Sequence, residues 1–195
     1  MPDKNLDRLE ARIWTSYFQD GVWDIFLGAM MLTMALRTFV DHWIVSIAFF
    51  PLVVGMILVK RFVTARRLGY VKFSKRRRRK RIAMFLVILS ANVITLALLI
   101  VGMFGVDPSV SVRVAVIGGL VFLSFSAVAY FLDFFRFFIW GALFTLAVIA
   151  TEVFGMEMGS YLFLGFGSTA VLVGIAYFIA FLRKYPGEKG VPMNG

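Results

Sequence analysis

Lys75–Phe104 reads KRRRRKRIAMFLVILSANVITLALLIVGMF. Seven consecutive cations give way at Ile82 to 23 residues without a charged side chain. A hydrocarbon core about 30 Å thick is crossed by about 20 apolar residues rising about 1.5 Å each, so Ile82–Phe104 has the length and composition of a transmembrane helix. The run does not alternate apolar and polar residues as a barrel strand does. In lipid only a helix satisfies its backbone polar groups within one segment. The cations ahead of it mark a cytoplasmic edge, because Lys and Arg concentrate on that side of membrane proteins.

Five more runs of similar kind flank this one: Val22–Phe39 and Trp43–Val59 before it, and Val112–Leu132, Phe134–Phe154 and Tyr161–Leu182 after it. The pattern predicts an all-α polytopic membrane protein with six transmembrane helices in a single membrane domain, residues 1–195. Composition agrees: 61% of residues are hydrophobic and 16% charged, against about 25% charged in soluble domains. That excess exceeds what a 22.0 kDa soluble globule can hide, and it excludes soluble enzymes, disulfide scaffolds and disordered chains. The absence of Cys removes disulfides, thiolate zinc sites and Cys nucleophiles, and a single histidine, His42, removes any His-built metal or haem cluster. No cofactor is expected. The first apolar run is too long for a signal-peptide core and is read as a retained span.

Six spans put both termini on one side of the membrane. Nineteen of the 21 Lys and Arg residues then share that side, with Arg37 and Arg113 opposite. The basic excess assigns it to the cytoplasm, N-in and C-in. The cytoplasmic parts are residues 1–21 (partly interfacial), a basic loop over 60–81 and a tail over 183–195. The opposite loops are too short to hold a domain. Small size and minimal loops point to the cytoplasmic membrane of a prokaryote.

Ile13, Trp14, Tyr17 and Phe18 share a helical face, as in a short helix at headgroup level ahead of span one; an early start of span one is the alternative. Tyr17-Phe18-x-Asp20 with Gly28-Ala29 matches Tyr130-Phe131-x-Asp133 with Gly141-Ala142 at a constant offset of 113. Such an echo would make helices 1–2 and 5–6 a parallel helix-pair repeat.

Few polar residues enter the spans. Asp24 and Arg136 each lie a few residues past a cytoplasmic helix start, and equal depth makes them a candidate structural ion pair, with Asp133 as competing partner for Arg136. Asn92, Ser124 and Thr145 lie near mid-membrane. None is ionisable, which weighs against proton coupling and favours hydrogen bonding between helices. Gly165 with Thr169, and Ala170 with Gly174, have the small-xxx-small spacing of close helix contacts.

Lys75, Arg76, Arg77, Arg78, Arg79, Lys80 and Arg81 form the candidate lipid-binding segment. Such a cluster beside a membrane helix gains about 1 kcal/mol per charge against anionic headgroups. Membrane lipids are the expected partners, with a membrane-protein partner or a second copy also considered; nucleic acid is not expected. No catalytic set or phosphate-binding loop is present. In helix count and length the chain is similar to the substrate-binding subunits of energy-coupling-factor vitamin importers, which would imply a carrier. The residues themselves favour a non-enzymatic accessory or scaffold subunit whose basic loop holds anionic lipid or a partner. The alternatives are a small carrier or channel subunit for a neutral solute and, third, a lipid-modifying enzyme.

Overall fold

The computed structural model describes residues 17–40, 42–68, 82–83, 85–91, 93–94, 97 and 109–186. All regular structure among them is helical. Helix α1 (Val22–Ala35) tightens into a 3-10 turn over Leu36–Thr38. Helix α2 (His42–Val59) continues through a π-helical turn, Lys60–Thr64, into a last turn, Ala65–Leu68. Helix α3 runs over Val110–Leu132 with a π-helical turn at Val114–Gly118. Helices α4 (Phe135–Phe154) and α5 (Met156–Lys184) follow, joined by Gly155. The link is that short because Gly155 takes φ 93°, a conformation costly for any residue with a Cβ.

Among the described residues four helices are long and apolar enough to cross a membrane: Ile47–Arg67, Val110–Leu132, Phe135–Phe154 and Met156–Lys184. With its 3-10 turn, α1 is about 27 Å long by standard rises, close to the hydrocarbon thickness. Burial is inverted relative to a soluble protein. Phe50, Leu123 and Leu172 are 73%, 65% and 68% exposed, whereas Asp20, Asp24 and Thr64 are among the largest fully buried side chains. Water would penalise that arrangement on both counts; a lipid solvent favours it. The chain is a helical membrane protein.

Helix α1 lies antiparallel on α5 and packs on it more extensively than any other pair of elements does. Gly21 faces Gly174 and Gly28 faces Gly167, so glycines seven apart on each helix meet at two levels. Phe18, Leu27, Leu132, Phe134, Phe137 and Trp140 fill the core nearer the start of α1. Met31, Ala35, Phe144, Ala147 and Phe163 fill it nearer the end.

Three details differ from the sequence reading. The second span does not stop at Val59: the helix carries Lys60–Leu68, residues assigned to the basic loop. The close face of α5 uses Gly167, Ala170 and Gly174, while Gly165 and Thr169 point outward, with open space around Gly165. In the segment before α1, Ile13 and Trp14 lie outside the described residues, and Tyr17–Gly21 do not continue unbroken into span one. Tyr17 and Phe18 are helical, Gly21 at φ 85° interrupts the helix, and Phe18 is buried in the core.

The two copies of the Tyr-Phe-x-Asp echo also occupy different surroundings. Asp20 is fully buried, whereas Asp133 is exposed at the left-handed end of α3. Gly28 meets Gly167 of α5, while Gly141 of α4 meets Phe125 of α3. All of Lys75–Arg81, the candidate lipid-binding segment, and Asn92 lie outside the described residues.

Candidate functional site

The break at Gly21 turns Asp20 inward beneath the first turn of α1. Its Oδ1 accepts the Val22 N–H at 3.1 Å. Lys60 Nζ, from α2, lies 2.8 Å from both carboxylate oxygens, and Thr64 Oγ1 donates to Oδ2 at 2.6 Å. Lys60 and Thr64, four residues apart on one helical face, reach the same carboxylate. The Lys60 ammonium also donates to the Tyr17 carbonyl and lies 4.5 Å from the centre of the Tyr17 ring and 5.7 Å from that of Phe18. Asp20 thus receives a donor on every side, which is what a fully buried carboxylate needs.

One turn further, Asp24 ties α1 to α4. Trp140 Nε1 donates to Asp24 Oδ1 at 2.6 Å. Arg136 Nη1 lies 3.1 Å from Asp24 Oδ2, but neither atom has an aligned hydrogen bond among the described residues. The contact is therefore a charge pair rather than a directed bond. The guanidinium is positioned by two other contacts: Nη2 donates to the Gln19 carbonyl at 3.3 Å, and its carbon lies 3.6 Å from the centre of the Tyr177 ring on α5. The structure brings Asp24 and Arg136 together; Trp140 and Lys60 are members of the cluster that sequence reasoning missed.

The cluster marks one end of the bundle. There, Arg67 Nη1 donates to the carbonyls of Leu182 and Tyr185 at 3.2 and 2.7 Å, capping the C-terminus of α5. The other end carries a Thr38–Ser160 hydroxyl pair and an Arg113–Glu152 ion pair at 3.3 Å. Leu68 and Ser109 consequently lie at opposite ends.

The mid-membrane hydroxyls do not converge. Ser124 Oγ donates to the Leu120 carbonyl at 2.7 Å and Thr145 Oγ1 to that of Gly141 at 2.8 Å. Each is spent on its own helix, four residues back, rather than between helices as expected from the sequence. Among the described residues no three His, Cys, Asp or Glu side chains gather as metal ligands would. No protein-family model, curated protein or solved structure matches this chain.

Proposed function

We propose that the chain is a non-enzymatic accessory or scaffold subunit of a prokaryotic cytoplasmic membrane, whose basic cytoplasmic connection holds anionic lipid. One observation carries this reading: the buried charges are spent on one another across three helices. Asp20 answers Lys60 and Asp24 answers Arg136, joining α1 to α2 and α4 in a lock rather than presenting an open polar site. Around the lock, Arg61, Arg66, Arg183 and Lys184 are exposed. These exposed cations lie at the helix ends from which the segment containing Lys75–Arg81 departs, and anionic headgroups complement such a set.

The same placement supports six spans. Leu68 and Ser109 lie at opposite ends, which fits one further crossing between them in sequence, and Ile82–Phe104 is the one apolar run there of sufficient length. The concentration of cations orients the cluster end toward the cytoplasm.

The test is native mass spectrometry of the protein released from nanodiscs of mixed anionic and zwitterionic lipid. The expected result is preferential retention of anionic lipid, reduced when Arg76–Arg79 are changed to Gln and reduced by salt, since the screening length falls to about 3 Å at 1 M. Equal retention of both lipid classes by the unaltered protein would contradict the reading.

A further inference from the structure

Lys60 occupies a receptor of definite chemistry. An ammonium group has three N–H donors, and three acceptors surround this one: Oδ1 and Oδ2 of Asp20, each at 2.8 Å, and the Tyr17 carbonyl. Aromatic faces close the remaining side, with the Tyr17 ring centre at 4.5 Å and that of Phe18 at 5.7 Å. The acceptors do not depend on Lys60 for their position. The Val22 N–H and the Thr64 hydroxyl hold the Asp20 carboxylate, and the Tyr17 carbonyl and ring belong to the same short segment. The pocket is closed to solvent, with Asp20 and Thr64 fully buried, so a cation entering it loses its water and has to recover every hydrogen bond from the protein.

From this geometry we infer that the Tyr17–Asp20–Thr64 cradle is a binding site for a primary alkylammonium ion, which the chain fills with its own Lys60. The site discriminates by donor count. A quaternary ammonium carries the same charge and suits the aromatic faces but has no N–H for the three acceptors. A guanidinium is planar and offers a fork where the cradle presents a triangular set of acceptors. Sodium has no N–H donors to direct and would have only the three oxygens of the cradle to replace its water shell. The inference concerns the shape of the cradle and is independent of the lipid-holding role.

The test exploits the fit between cradle and ligand. Changing Lys60→Ala deletes three carbons and the ammonium, and n-propylammonium replaces those atoms one for one. The unfolding midpoint of the Lys60→Ala protein in detergent is measured against n-propylammonium, tetramethylammonium and sodium chlorides at equal ionic strength. A rise of about 4 °C is expected when propylammonium reaches about ten times its Kd, with no comparable rise from the other two salts. Equal stabilisation by tetramethylammonium or sodium, or none by propylammonium, would overturn the inference.

Shortening Lys60 strands the Asp20 charge and can prevent folding by itself, so the titration is repeated on Asp20→Asn/Lys60→Ala. That protein should fold and show no response to propylammonium. A response there would locate the amine elsewhere and overturn the inference. So would a Lys60→Ala protein that stays unfolded at every propylammonium concentration while the double variant folds.

Discussion

Gly28 and Gly167 meet across α1 and α5 with no room for a side chain on either. A Cβ on Gly28 would lie 2.7 Å from the Gly167 carbonyl oxygen, and one on Gly167 would lie 2.9 Å from that of Gly28. Because the obstacle is backbone, no rotamer change relieves it, and the helices have to separate. Gly28→Ala and Gly167→Ala are each expected to cost about 1–3 kcal/mol, the usual range for overpacking. Gly165, two residues earlier on α5, has open space around it. Gly165→Ala should leave the thermal midpoint in detergent unchanged or slightly raised. Equal losses at Gly165 and Gly167 would contradict the described face of α5.

The charge pair between α1 and α4 should behave as a unit. Asp24→Arg sets a third cation beside Arg136 and Lys60 and is expected to destabilise by about 3–5 kcal/mol. Adding Arg136→Asp should recover part of that loss. Full recovery is not expected, because Trp140 Nε1 donates to Asp24 Oδ1 and an arginine there offers it no acceptor. A double variant as unstable as the sum of the two singles would refute the coupling.

The apolar runs were sufficient to locate most helices, since a bilayer demands a length and composition that few other solutions satisfy. Depth along the helices also paired Asp24 with Arg136 in advance. Lys60 was not legible in the same way. It stands first in a run of cations and reads as the start of a loop; only the continued helix carries it inward to Asp20. Which small residues of α5 face α1 was hidden too. Gly165 with Thr169 and Ala170 with Gly174 both have the four-residue spacing, and Gly167 belongs to neither pair. The choice among them rests with the seven-residue spacing of Gly21 and Gly28 on the opposing helix. Trp140 carried no signal, because a tryptophan in an apolar run is ordinary until a carboxylate is found against its indole nitrogen.

Two tryptophans permit a matched comparison. Trp140 Nε1 donates to a buried carboxylate, whereas the buried Trp23 Nε1 has no hydrogen-bond partner among the described residues. Phenylalanine deletes the same atoms at either position. Trp140→Phe should cost about 1.5–3 kcal/mol more than Trp23→Phe, the worth of a hydrogen bond to a charged group. Chemical or thermal unfolding of the two variants side by side reads that difference, and equal losses would remove Trp140 from the cluster.

The ion pair at the other end should matter far less. Arg113 and Glu152 are 3.3 Å apart with side chains 32% and 28% exposed, conditions under which such pairs contribute about 0–1 kcal/mol. Glu152→Gln is therefore expected to shift the thermal midpoint by no more than about 2–4 °C at this chain length. A large loss would show that this end, too, is locked by charge.

We propose that the charge-locked end of the membrane bundle, with its basic connection, faces the cytoplasm. Since the chain has no cysteine, single introduced cysteines report accessibility without background. Ser109 and Glu157 are exposed at the end away from the cluster, and Lys184 is exposed at the cluster end. Gly159 is unsuitable, because its Cβ would collide with Thr151. With a membrane-impermeant maleimide on intact cells, Ser109→Cys and Glu157→Cys should label, and Ser74→Cys and Lys184→Cys should label only after the membrane is opened. Labelling of Ser74→Cys or Lys184→Cys in intact cells would contradict the orientation, and with it the assignment of anionic cytoplasmic lipid to the basic connection.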